Sequence, residues 1–279
     1  MTDLPQLNTK QSTKFYLLVL FGDYIRPRGG SIWMSKLLYL LTLLDVGEHT
    51  GRSTINRMQR EGWFTVEKDG RQSRFTLTPT GTSLLGSGDL RLNDQTIEQW
   101  DGNWHMVTYS LPEEKRKVRN DLRKQLTWLG YGPLGPGLWI SPNNRLNELE
   151  QALKTLEITD LVHIFSSRYL GPAENSALIN QAWDLEDVSA DYLVFNQSVQ
   201  QKMAGFNSKD NPSAEEAFHH HFHLTTQLFP ILQKDPNLPL DMLPINWAGT
   251  IGRKLFNQFR DQLTPIVDQF IDQVLSENS

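Results

Sequence analysis

The side chains best placed to do chemistry in this 279-residue chain are cations in groups, and they suit phosphate and base edges better than bond breaking. Arg52, Ser53, Asn56 and Arg57 recur at helical spacing, so one helix face carries arginines able to reach guanine and an asparagine able to reach adenine. The plainer reading of that face is a solvated polar stripe. Lys68, Arg71 and Arg74 gather around an Asp69-Gly70 turn, where they would meet phosphates or a minor groove, and Arg26 and Arg28 flank Pro27. Arg116, Arg119 and Arg123 form a stripe at i, i+3, i+7 that has three readings: a ligand's phosphates, flanking DNA, or solvent.

Histidine is the other grouping. His219 and His223 are an i, i+4 pair with His220 and His221 between them, a spacing that can chelate from a helix. No third ligand accompanies the pair in the way a His-Glu-x-x-His helix requires, so the expectation is one packed histidine, several surface ones and no metal. There is no cysteine, which excludes disulfides, thiolate nucleophiles and cysteine-ligated metal sites. Glycine-rich phosphate loops, serine elbows and paired catalytic carboxylates do not stand out. The expectation is a chain that is not an enzyme and carries no cofactor.

A net charge of −5 argues against a nucleic-acid partner only while the chain is treated as one object. Residues 1–83 carry 11 Lys and Arg against 7 Asp and Glu, a net of +4; residues 84–279 carry 16 against 25, a net of −9. A local basic excess matters more than the total, because counterion release depends on the charges that reach phosphates. Lys10 and Lys14 before the apolar run 15–21 imitate a signal peptide faintly, but the run is short and no small-residue cleavage pattern follows. With no long apolar stretch, the expected location is the cytoplasm.

The cationic groups need elements to hold them. Phe15–Phe21 predicts a short apolar helix, Ser31 a cap for a second helix ending near Gly47, and 49–61 a third helix with Ile55 and Met58 inward. Alternation around Phe64 and Val66, then Phe75 and Leu77, predicts a hairpin closed by Asp69-Gly70. Three helices and a hairpin are the order of a winged helix-turn-helix, whose third helix enters the major groove. Residues 86–171 predict strands at 104–110, 138–141 and 161–167 with helices from Pro112 and over 146–156, a ferredoxin-like α+β domain. Gly86-Ser87-Gly88 suggests a linker and Gly130–Gly137 a connector. From 172 onward the pattern is helical, with prolines 230, 236, 239 and 244 marking an irregular corner. The expected fold is therefore helix-rich α+β in three domains: 1–85, 86–171 and 172–279.

Ordered clusters in all three segments resemble the PaaX-like family of phenylacetic-acid-degradation repressors. They include Phe21-Gly22-Asp23, Pro27-Arg28-Gly29-Gly30 and Ile32-Trp33; Glu48, Arg52, Arg57 and Glu61-Gly62-Trp63; and Gly70-Arg71 with Arg74. Trp183-Asp184-Leu185, Glu216-Ala217-Phe218-His219, Lys234-Asp235-Pro236, Leu238-Pro239, Leu243-Pro244 and Asn246-Trp247-Ala248-Gly249 continue the match. The resemblance implies a dimeric repressor of an aromatic catabolic operon, bound to double-stranded operator DNA and released by an aryl-acetyl coenzyme A effector such as phenylacetyl-CoA. It turns one reading of Arg116, Arg119 and Arg123 into contact with coenzyme A phosphates. Trp183, Trp247 and Arg253 become candidates for lining an effector pocket. Two positions depart from the family: Thr226, Leu228, Phe229 and Pro230 stand where relatives place a His-x-Tyr-Arg-Arg cluster, and Gly51 stands at an apolar position.

The middle segment also resembles the small ferredoxin-like nucleases of CRISPR systems, in Val107-Thr108-Tyr109 and Leu111-Pro112 before the basic helix. Those nucleases hold a divalent metal on a first-strand aspartate. Ser110 stands there in this chain and brings no charge to a hard cation. A metal-dependent nuclease is thus the alternative to a repressor, with the fold kept and the chemistry lost as the expectation.

Overall fold

The computed structural model describes residues 12–92, 99–172 and 174–276, with the side chains of 83, 84 and 86–90 excepted; Lys10 lies outside them. They form two compact units.

The first unit opens with α1 (Thr13–Val19), where Ser12 Oγ accepts the Phe15 N–H at 3.2 Å. The chain continues into a π-helical turn at Leu20–Ile25 and a 3-10 turn at Arg26–Arg28. Pro27 and the positive φ of Gly29 (93°) and Gly30 (71°) then redirect it. Next come β1 (Ser31–Trp33), α2 (Met34–Thr42), α3 (Glu48–Arg60), β2 (Phe64–Asp69), β3 (Gln72–Leu77) and α4 (Pro79–Leu92). The strands make an antiparallel sheet in the order β1-β3-β2, with Phe75 opposite both Ile32 and Val66. This is a winged helix.

Three local expectations give way here. Ser31 is not a helix cap; residues 31–33 take the second edge of β3, which satisfies their backbone groups, and the helix begins at Met34. The hairpin turn sits one residue further on than expected: Asp69 pairs with Gln72, so Gly70-Arg71 is the loop, and Gly70 supplies the positive φ (56°). Gly86-Ser87-Gly88 falls within a helix, α4, rather than a linker.

Residues 195–230 and 252–276 complete this unit, bringing in parts of three long helices: α8 (Leu185–Asn207), α9 (Ala214–Lys234) and α10 (Ala248–Ser276). They bury aromatic side chains against the start of the chain. Tyr16 meets Phe222 edge-on at 4.9 Å, and Phe15 lies 5.4 Å from Phe229.

The second unit holds β4 (Trp104–Tyr109), a 3-10 turn at Glu113–Lys115, α5 (Arg116–Trp128), β5 (Gly132–Gly135), β6 (Leu138–Ser141), α6 (Leu146–Thr155) and β7 (Val162–Ser167). The order β5-β6-β4-β7, all antiparallel, is the ferredoxin-like βαββαβ arrangement. Val107, Tyr109, Trp139 and Val162 on one sheet face pack with Leu122 and Leu126 of α5 and Leu149 and Leu153 of α6. Strand β5 replaces the expected glycine-rich connector. Gly132 is small there for a reason: a Cβ would come 2.6 Å from the Trp183 ring, just past α7 (Asn175–Ala182). Residues 231–251 add a loop with a 3-10 turn at Leu240–Met242. Among the described residues no helix is long and apolar enough to cross a membrane.

Candidate nucleic-acid interface

Helix α3 is divided cleanly by burial. Gly51, Thr54, Ile55 and Met58 are buried, while Arg52, Ser53, Asn56 and Arg57 are exposed on the other side. The inward face is held close to α2. A Cβ on Gly51 would stand 2.9 Å from Leu38 Cδ2 and 3.1 Å from Leu41 Cδ1, so the glycine sits at a close approach of the two helices. Glycine costs an interior helix position about 1 kcal/mol relative to alanine, and close packing offsets that cost.

The exposed face is ionically occupied but lightly. Arg52 Nη2 lies 2.6 Å from Glu48 Oε1 and Arg57 Nε 3.9 Å from Glu61 Oε1, both i, i+4 pairs among exposed groups. Such pairs contribute roughly 0.3–0.5 kcal/mol, so a phosphate or a guanine edge can displace the carboxylate at small expense. His49 and Thr50 are exposed one turn earlier, at the helix end that meets bases in helix-turn-helix proteins. Their signal in the sequence is the i−3 and i−4 spacing to the arginine–serine pair.

The wing carries its cations outward. Lys68, Arg71 and Arg74 are all exposed; Arg71 is at the hairpin loop, and the Arg74 guanidinium lies 5.8 Å from the Trp33 ring centroid across the sheet. Arg28 is placed differently. Its Nη2 is 2.7 Å from Asp268 Oδ1 and its Nε 2.6 Å from Asp272 Oδ1, with Nη1 donating to the Tyr24 carbonyl, and only 17% of the side chain is exposed. It acts as a strut to α10. Two carboxylates already pair with it, so a phosphate contact there would have to displace them.

The six residues expected around an effector do not share one set of neighbours. Arg119 donates to Glu113 (2.8 Å) and to the Leu111 carbonyl, and Arg123 Nε to the Tyr109 hydroxyl at 3.3 Å. Arg116 is exposed, 3.8 Å from Glu113. Trp183 stacks on Trp104, and Trp247 is buried edge-on to Tyr192. Arg253 belongs to the other compact unit. At the departure from the family's basic cluster, Leu228 and Phe229 are buried, so that stretch of α9 serves packing.

In the histidine group of α9, His221 serves packing and His219, His220 and His223 are half-buried. His221 is buried, with Nδ1 2.8 Å from the Tyr24 hydroxyl and Nε2 3.4 Å from Thr264 Oγ1, and burial pushes its pKa down to about 3. Burial, then repulsion from His219, lowers His223 to about 4. The His219 and His223 rings are 4.3 Å apart, yet no three potential ligands converge anywhere among the described residues. Ser110 is exposed just beyond β4.

Three family models match in succession: a PaaX-like protein over residues 12–81, the PaaX central Cas2-like domain over 97–179, and the PaaX-like C-terminal domain over 183–273. The chain is 31% identical over 258 residues to the transcriptional repressor PaaX of Escherichia coli K12, covering 91% of this chain and 81% of that one. An uncharacterized protein of Mycobacterium tuberculosis has a similar fold, with a TM-score of 0.52 at 22% identity over 84% of this chain and 89% of its own.

Proposed function

The chain belongs to the PaaX family, and from that membership we propose that it is a transcriptional repressor that grips operator DNA with α3 and its wing. The single observation carrying this reading is the division of α3: a buried face seated on α2, and an exposed face of Arg52, Ser53, Asn56 and Arg57 beside a cationic hairpin. Arg52, Arg57 and Asn56 read bases, and Ser53, Lys68, Arg71 and Arg74 position the backbone. A homodimer, with one head per half-site, supplies the affinity that a single small head lacks.

The operon is one for aromatic (phenylacetate) catabolism, and the releasing signal is an aryl-acetyl coenzyme A thioester. Family membership supports these finer points; the six residues expected to hold the thioester do not add to them. The coupling element is α10. It holds the turn before β1 through Arg28, and the Leu275 carbonyl in its last turn accepts from Lys36 Nζ on α2 at 2.6 Å. A thioester that favours a displaced α10 would shift the population toward heads that no longer match the half-sites.

The test is a mobility shift on the DNA upstream of the gene, with and without phenylacetyl-CoA. Retardation relieved by the thioester supports the whole reading. Retardation that ignores it keeps the repressor and removes the ligand.

A further inference from the structure

The face of α5 turned to solvent carries Arg116, Lys117, Asn120, Arg123 and Thr127, all exposed, while Leu122 and Leu126 are buried. From 116 to 127, eleven rises of about 1.5 Å span roughly 16 Å. At ~3.4 Å per nucleotide that covers about five phosphates of one strand. Every side chain in the row can donate a hydrogen bond and none is a carboxylate. The nearest acids are Glu113, 2.8 Å from Arg119 and 3.8 Å from the exposed Arg116, and Asp121, 3.3 Å from Lys124; the pair to Arg116 is a weak surface pair that a phosphate can displace. Arg123 is steadied by the Tyr109 hydroxyl, which also accepts from Trp139 Nε1 at 3.3 Å, so its guanidinium is held before any ligand arrives.

The charge runs against its surroundings. Residues 115–124 hold six cations and one anion within a stretch, 84–279, whose net is −9. An acidic stretch of chain repels a polyanion, and a concentrated cationic row complements one.

We propose that this face of α5 is a second duplex-DNA surface, gripping the phosphate backbone without reading sequence. It rests on the DNA-binding reading above and adds a contact outside the winged helix. Base readout stays with α3, and α5 adds affinity through counterion release. The linear run fits a strand of phosphates better than the compact phosphates of a coenzyme A thioester.

The test compares the full-length protein with the variant Arg116→Gln/Lys117→Gln/Arg123→Gln on the upstream DNA fragment. A control variant, Lys154→Gln/Arg168→Gln/Lys254→Gln, removes equal charge elsewhere. Circular dichroism and thermal melts check folding; if the triple variant melts early, Arg116→Gln/Lys117→Gln, which leaves the Tyr109 contact intact, replaces it. The expected result is a slope of log K against log salt shallower by about two to three units. Hydroxyl-radical protection should shrink by part of its extent and not vanish, with the control unchanged. An unaltered slope and footprint would overturn the proposal. So would weakened phenylacetyl-CoA binding with DNA binding intact, which assigns the row to the thioester. Failure of the wild type to bind DNA overturns the parent reading as well, and is visible before any variant is made.

Discussion

Arg28 Nε and Asp272 Oδ1 lie 2.6 Å apart, and through that bond the turn before the winged-helix sheet is tied to the last turns of the longest helix. Asp268 completes the clamp from one turn earlier on α10. An arginine close in sequence to the exposed cations of the head is therefore tied to α10.

Removing that clamp lowers stability. Arg28→Ala leaves two carboxylates facing each other, and Asp268→Asn/Asp272→Asn removes the charge but keeps the shape. Charged hydrogen bonds of this kind contribute about 1.5–3 kcal/mol each, reduced where solvent reaches them. Urea denaturation should show Arg28→Ala destabilised by about 1–3 kcal/mol and the double asparagine variant by less. A change under 0.3 kcal/mol in both would mean the strut is idle.

On the head, Arg52→Ala and Arg57→Ala should each weaken specific DNA binding by about 1–3 kcal/mol and relax preference at particular base pairs. Arg71→Ala on the wing should weaken all sequences alike and flatten the salt slope by about one unit. Equilibrium titrations on specific and scrambled fragments separate the two behaviours. Equal losses on both fragments for the α3 variants would place those arginines on phosphates.

Gly51 sets the spacing of α2 and α3. Gly51→Val meets Leu38 and Leu41 and should cost about 1–3 kcal/mol by overpacking. Gly51→Ala should cost less, because helix propensity returns about 1 kcal/mol. Thermal melts rank the two; a valine variant as stable as wild type would show that the leucines move aside freely.

Acid should loosen the first unit. His221 and His223 have folded pKa values of about 3 and about 4, below the ordinary 6.5, so the unfolded chain binds protons first as pH falls. Their contribution is complete above pH 6.5, shrinks as pH drops, and is gone near pH 3–4. His221→Asn, which keeps an acceptor for Tyr24, should make stability less steep between pH 6.5 and 4. An unchanged slope in urea melts across that range would exclude His221 as its source.

The nuclease alternative has its own measurement. Incubation with DNA or RNA and Mg²⁺ or Mn²⁺ should leave both intact. Metal-dependent cleavage that copurifies with the protein would reverse the assignment.

The first three helices and the hairpin of the head, and most of the central βαββαβ unit, were legible because each has its own periodic signal. Ile55 and Met58 against Arg52 and Asn56, or Val107 and Tyr109 against Thr108, show which face is inward before any partner is known. Strand β5 was illegible. Gly-Pro-Leu-Gly has no alternation, and its glycine answers to Trp183, some fifty residues away in sequence. Strand β1 was hidden likewise, since three residues become a strand only when β3 offers an edge.

Family, helix order and the outward cations of α3 and the wing were determined by sequence alone, because they depend on local spacing and ordered motifs. Only tertiary structure decided what became of the rest. Arg28 turned inward because Asp268 and Asp272, some 240 residues later, were folded onto it. His221 became a neutral core residue because Tyr24 and Thr264 closed around it. Gly51 changed from a defect to a close contact once Leu38 and Leu41 were set against it. A charge or a gap takes its meaning from whatever long-range folding brings within a few ångströms, and no local pattern carries that information.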